Sequence, residues 1–325
     1  MIQGGFVCKI CKNREFSEDT VKRIVALLLV FAMSAMLFSC GGEAATSGTA
    51  ESTAAPSTTK NPDVPVQSMV SPYADIDFFG GKIEDKNGKI TLEMQPTALP
   101  ESVFVEEKIV EFAGKERTLP VLCIRAAGAR VKGVFSEFEN NAEFDAFVAE
   151  NGGFSIEVFY LDNSTTGANR GIVCSTEALG GDSKRSGWGI AESAGGVPYF
   201  ITGHAAENVY SSVYALEAPK HEPVHVVGVY NSGTSRIAIY VNGTLVSSDS
   251  AAGAFTSADK TDVYGGFNMA TAFYIGADPS SVEGKPEGCD FPANDLTVLD
   301  VKFYACALTE KEVNSAFLRS TSVFE

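Results

Sequence analysis

The chain is short of histidine, of basic side chains and of long apolar runs, and each shortage removes a class of function. Its three histidines are His204, His221 and His225. The last two are four apart, but Pro223 lies between them and His225 falls in a strand-like run, so they cannot share a helical face as a zinc pair would. Against 41 acidic side chains there are only 25 Lys and Arg, a net charge of −16. That balance argues against nucleic acid as a partner, and against charge-driven adhesion to anionic lipid. The longest apolar run, Ile24 to Phe38, falls short of the ~18 residues a membrane span requires. Serine in a nucleophile elbow and a glycine-rich phosphate loop are both missing; "ALGGDS" and "VYGGFN" read as turn glycines. Cys123, Cys174, Cys289 and Cys306 are too widely and irregularly spaced for a disulfide framework, although one bridge among them stays open. Cys8 and Cys11 form a lone C-x-x-C with neither a second pair nor a βαβ context.

What is present begins with an address. Lys22 and Arg23 precede the apolar run, which ends Leu37-Phe38-Ser39-Cys40. A basic start, a short apolar core and small residues at the cut describe a secretory signal. The last four residues resemble the lipobox of bacterial lipoproteins, which implies cleavage before Cys40, lipid on its thiol and a place on the outer face of the bacterial envelope. Residues 1–20 sit awkwardly ahead of such a signal, and the expected start of translation is Val21. Loss of residues 1–39 would remove five Lys/Arg and three Asp/Glu, deepening the net charge to −18. Residues 40–69 are rich in Ala, Ser, Thr and Pro and bury too little apolar surface to offset ordering, so they read as the lipidated cysteine and a flexible tether.

From residue 70 to 325 short β-rich runs alternate with Gly, Asn, Asp, Ser and Pro, the pattern of one all-β domain built as an antiparallel sandwich or jelly roll. Two stretches read as helix. "NNAEFDAFVAENGG" sets Phe144, Phe147 and Val148 at helical spacing, and "LTEKEVNSAFL" opens with Thr309 and Glu312 as a capping box. The most regular part is "VHVVGVYNSGTSRIAIYVNGTLV", Val224 to Val246. His225, Val227 and Val229 share one strand face; Ile237, Ile239 and Val241 share one face of the next strand. Asn242-Gly243 suits a type I′ turn. The expectation is a three-stranded meander with one buried face.

This stretch also resembles the central segment of bacterial LamG-like jelly rolls, within the concanavalin A-like lectin/glucanase superfamily. His225-Val226-Val227, Val229-Tyr230 and Tyr240-Val241-Asn242-Gly243 carry the likeness, with Pro223 or Val224 where a tryptophan is usual. "ADIDFFGGKIEDKNGK", "GGFSIEVFYLD", "GWGIAES", "FYIGAD" and "LDVKFYACALTEKEV" follow in the family's order. The resemblance implies a concanavalin A-like sandwich with one or two short helices, and makes His225 a framework residue. Glucanases of the superfamily carry Glu-x-Asp-x-x-Glu on a strand; here Glu143-Phe144-Asp145 lacks the third acid and has helical spacing. Members that hold structural calcium suggest Asp77, Asp85, Asn87 and Asp300 as ligands, with Leu299 where an aspartate is common. Sugar binding would use aromatic rings on loops, for which Trp188, Tyr199, Tyr210, Tyr214, Tyr264 and Phe267 are candidates.

The sequence therefore points to a cell-surface lipoprotein with a non-catalytic module that binds a glycan or an extracellular protein, without nucleic acid and with calcium as its one expected cofactor. The alternative is a glycoside hydrolase, or the accessory domain of a surface phosphoesterase or glycosidase whose catalytic part lies elsewhere. A scaffold with no small ligand is a third.

Overall fold

The computed structural model describes residues 69–164, 167–175, 187–204, 209–217, 221–251, 255, 272–279, 289–290 and 292–325. Cys8, Cys11, Cys40, the tether, Tyr264 and Phe267 lie outside them. Pro65–Glu325 forms one compact unit.

The unit opens with β1 (Ala74–Phe79), β2 (Lys82–Asp85) and β3 (Ile90–Gln95), followed by a long hairpin of β4 (Val103–Phe112) and β5 (Lys115–Ile124). After β6 (Arg130–Phe135) comes α1 (Asn141–Glu150), then β7 (Gly153–Asp162), β8 (Arg170–Cys174), β9 (Trp188–Glu192), β10 (Pro198–His204) and β11 (Val209–Tyr214). The meander is β12 (Val224–Asn231), β13 (Arg236–Val241) and β14 (Thr244–Ser250). β15 (Ala272–Ile275), the short pair β16 (Asp278–Pro279) and β17 (Cys289–Asp290), β18 (Leu296–Tyr304) and α2 (Glu310–Thr321) complete it.

Two antiparallel sheets face each other, as the alternating runs require. One runs β14-β13-β12-β7-β18-β1-β2, with β5 also on β18 and β4 on β5; the other runs β11-β10-β9-β8-β15-β6-β3. The concanavalin A-like sandwich is thus the observed fold. Between the sheets lies a core heavy in rings, including Phe135, Phe154, Trp188, Phe200, Phe273 and Phe303. Gly228 shows how tightly the sheets close. A Cβ there would stand 2.3 Å from Phe200 Cδ2 on the facing sheet, so the glycine in the middle of a strand is a packing requirement.

Both helices begin as their sequences dictate. Asn140 caps α1 by accepting from the Glu143 N–H, and Thr309 with Glu312 forms the reciprocal capping box of α2. Asn242 and Gly243 adopt positive φ, 48° and 77°, in the turn between β13 and β14.

One expectation for the meander fails: it does not have a single buried face. Val226 and Tyr230 enter the core between the sheets, while Val227 and Val229 enter a second cluster with Tyr304, Leu308 and Val313. The reason is α2, which closes over the outer surface of the larger sheet and buries the strand on both sides. Cys123, Cys174 and Cys306 are unbridged.

Candidate functional site

Three places gather chemistry-bearing side chains. The first is the outer surface of the seven-stranded sheet, opposite its core face. In β10 and β11, Phe200 and Val213 point to the core, so their neighbours Tyr199, Tyr210 and Tyr214 point outward. Tyr199 and Tyr214 are register partners whose rings stack at 4.9 Å with 27° between planes. Tyr199 is buried, whereas Tyr210 and Tyr214 are 42% and 48% exposed. Four residues of strand separate these two, about 13 Å. They were expected on loops, but both sit on β11, whose central serines dilute the apolar pattern of "VYSSVY". Trp188 is a correction: it is 1% exposed and packs in the core against Phe154, Phe273 and Phe303, on the opposite face of the sheet from the tyrosines.

The second place is on the outer face of the larger sheet. β18 pairs with β5 as far as Val298, bulges at Leu299, and takes β1 as its neighbour from Val301. Where one partner is exchanged for the other a cavity of about 320 Å³ opens. Asp75, Asp77, Asp300, Lys86, Lys302 and Arg319 line it, and Leu119, Pro120, Phe159, Leu299 and Val323 supply an apolar wall. Lys86, Asp75, Lys302 and Glu157 lie side by side across neighbouring strands, a row of alternating charge. Lys86 Nζ is 4.0 Å from Asp75 and 3.3 Å from Asp77; Asp75 faces Lys302, and Lys302 faces Glu157.

Glu157 ends this row beneath α2, fully buried. His225 Nε2 meets its Oε1 at 3.0 Å, Ser320 donates to the same oxygen at 2.6 Å, and Tyr304 and Arg319 donate to Oε2. Burial alone would raise its carboxyl, but the His225 hydrogen bond and charge, with Lys302 beside it, hold it well below the usual range. Burial lowers Lys302 in turn, opposed by Glu157, and raises Tyr304. His225 is thus part of a closed framework. Sequence reading singled out His225 but passed over Glu157 and Lys302. The available signal was a lone charge inside an apolar run, "FSIEVFY" and "VKFY".

The proposed calcium ligands divide. Asp77 and Asp300 reach the cavity, but Asp85 and Asn87 do not. Asp85 accepts from the backbone N–H groups of Asp75, Asn87, Lys89 and Ile90, so its oxygens hold the turn before β3. Asn87 donates to the carbonyls of Pro72 and Tyr73. Asp300 pairs with Lys302 and accepts from Ser320. The four are therefore no single oxygen cage, and no group of three acidic, histidine or cysteine side chains among the described residues could hold a metal.

The third place is a buried cluster that bridges the sheets. Tyr160 of β7 donates to Glu192 Oε1 at 2.8 Å; Arg170 donates to Glu192 Oε2 at 2.8 Å and to Asp162 Oδ2 at 2.5 Å. One cation thus serves two carboxylates. Burial first, and then the charge of Asp162, push the Glu192 carboxyl up to about 7, against hydrogen bonds from Arg170 and Tyr160. With side chains only 3–6% exposed, these acids are enclosed. Glu143, the remnant of the glucanase pattern, instead accepts from the Glu139 and Asn140 groups at the start of α1.

A family model of the laminin G type, described as the concanavalin A-like lectin/glucanases superfamily, matches residues 137–314. No curated protein matches. Among solved structures, the binding domain of botulinum neurotoxin DC in complex with SialylT has 13% identity and a TM-score of 0.47, with 77% of this chain and 52% of that chain covered. The botulinum neurotoxin serotype D binding domain has 11% identity and a TM-score of 0.48, over 76% and 51%. The neurotoxin DC binding domain with rat synaptotagmin II has 12% and 0.44, over 76% and 51%. The chain spans about half the length of these solved chains.

Proposed function

Because the chain belongs to the concanavalin A-like lectin/glucanases superfamily, we propose that it is a non-catalytic binding module that takes a glycan on the outer face of its seven-stranded sheet. The observation that carries this is the tyrosine pair of β11: two large rings about half exposed on one strand face, one of them stacked on Tyr199. Stacked, partly exposed rings offer the flat apolar surface that sugar faces cover, with phenol hydroxyls at the rim. In this reading the module hangs from a lipid on Cys40 at the outer face of the envelope, and residues 40–69 give it reach. Hydrolysis is disfavoured by the state of the acids. Asp162 and Glu192 are enclosed with Arg170 and Tyr160, where no sugar could pass between them.

The test is a glycan array probed with the full chain, in calcium and in chelator, alongside Tyr210→Ala and Tyr214→Ala. Retention that falls at least tenfold in either variant supports the reading. Retention unchanged in both variants, capture of a protein without any glycan, or hydrolysis of a polysaccharide panel would overturn it. The chelator arm decides whether calcium takes part.

A further inference from the structure

We propose that the cavity at the β18 bulge binds a small zwitterion, a free amino acid with an apolar side chain. This site is on the opposite sheet from the tyrosine pair and does not depend on it. Its volume, about 320 Å³, is at the lower end of the roughly 300–1,000 Å³ of small-molecule pockets.

The two polar ends of the cavity are unbalanced in opposite senses. At the β1 end, among the described residues, Lys86 is the one ammonium within 4.0 Å of both Asp75 and Asp77. Two carboxylates share it, and Asp77 stays 39% exposed. At the α2 end Asp300 and Lys302 pair with each other, and Arg319 has donors to spare. Glu157 already accepts from His225, Ser320 and Tyr304, so Arg319 gives it only Nη2, which also donates to Tyr304, and the Arg319 side chain stays 29% exposed where it lines the cavity. A partly exposed guanidinium that lines a cavity, with only Nη2 engaged, suits an anionic acceptor, and Arg fits a carboxylate best. A simple anion would meet the acids of β1; a simple cation would meet Lys86, Lys302 and Arg319. A ligand that carries an ammonium and a carboxylate on one short frame answers both ends. Its side chain would lie on Leu119, Pro120, Phe159, Leu299 and Val323.

Calorimetric titration of the full chain with leucine tests this, beside two analogues that each lack one charge, isopentylamine and isocaproate. Leucine is expected to bind at least tenfold more tightly than either. Asp77→Asn should weaken leucine about tenfold and leave isocaproate unaffected; Arg319→Gln should weaken leucine and leave isopentylamine unaffected. Asp77 is exposed enough that its variant keeps the fold, which a circular dichroism melt verifies. The proposal is overturned if leucine and phenylalanine both fail to bind at millimolar concentration, if a singly charged analogue matches leucine, or if Asp77→Asn binds leucine as the parent does. Glycan retention by Asp77→Asn, expected to be unchanged, keeps this outcome separate from that of the tyrosine face.

Discussion

Glu192→Gln should flatten the pH dependence of stability between pH 4.5 and 7. In the folded chain Arg170 neutralises one of the two buried carboxylates, so the cluster is balanced when Glu192 carries a proton. Its folded carboxyl titrates at about 7, against 4.5 ordinarily. Across that window the folded state therefore holds a proton that the unfolded chain has released. The unfolded state binds fewer protons, so stability falls as pH rises. At about 1.4 kcal/mol per pH unit, the full loss is about 3 kcal/mol. For a unit of this size that is roughly 6–12 °C in Tm. Glutamine keeps the shape and removes the titration: its oxygen accepts from Arg170 at the Oε2 position, and its amide nitrogen, at the Oε1 position, donates to the Tyr160 hydroxyl, which turns to accept. The assay is urea denaturation of both proteins at half-unit steps from pH 4.5 to 8. The difference between them removes every group they share. Parallel profiles, or a parent that grows more stable from pH 5 to 7, would refute the reasoning.

Two further substitutions probe the packing and the charged row. Gly228→Ala drives a methyl group into the Phe200 ring and should cost about 1–3 kcal/mol, with Phe200→Leu recovering part of it in a double-mutant cycle read by thermal melts. Glu157→Gln leaves Lys302 and Arg319 without their buried anion and should cost about 3–5 kcal/mol in chemical denaturation. As a control, Glu137→Gln removes the charge of a surface acid that pairs with Lys89 and accepts from Tyr73, and should cost under about 1 kcal/mol.

Much of the architecture was legible because it rests on local rules. Alternation marked most strands, and the capping box of Thr309 and Glu312 and the Asn242-Gly243 turn stand where the sequence places them. β11 escaped because Ser211 and Ser212 interrupt its pattern, although its tyrosines were singled out. The burial of His225 on the outer sheet face could not be read from its own strand, since it depends on α2, about 85 residues later in the chain, folding back over it. Nor could Trp188 be sorted from the tyrosines. Which side of a strand faces the other sheet is a matter of register, and a lone tryptophan before a short run satisfies either choice. The separation of Asp85 and Asn87 from Asp77 and Asp300 was hidden for a related reason: Asp85 looks like a ligand in sequence, and only the backbone around it shows its oxygens committed to four amides.

The position of β18 bears on how the molecule is made. This late strand lies in the middle of the larger sheet, with β7 on one side and β5 and β1 on the other. The seven-stranded sheet needs no strand later than β15, but without β18 the larger sheet is left in two parts, with open edges on β7 and β1. Contacts of such long sequence separation close slowly, and an open edge invites pairing with another chain. A polypeptide interrupted before Leu296 would therefore carry a larger sheet split between β7 and β1. The last strand of the chain is thus the one that joins the two parts of its larger sheet.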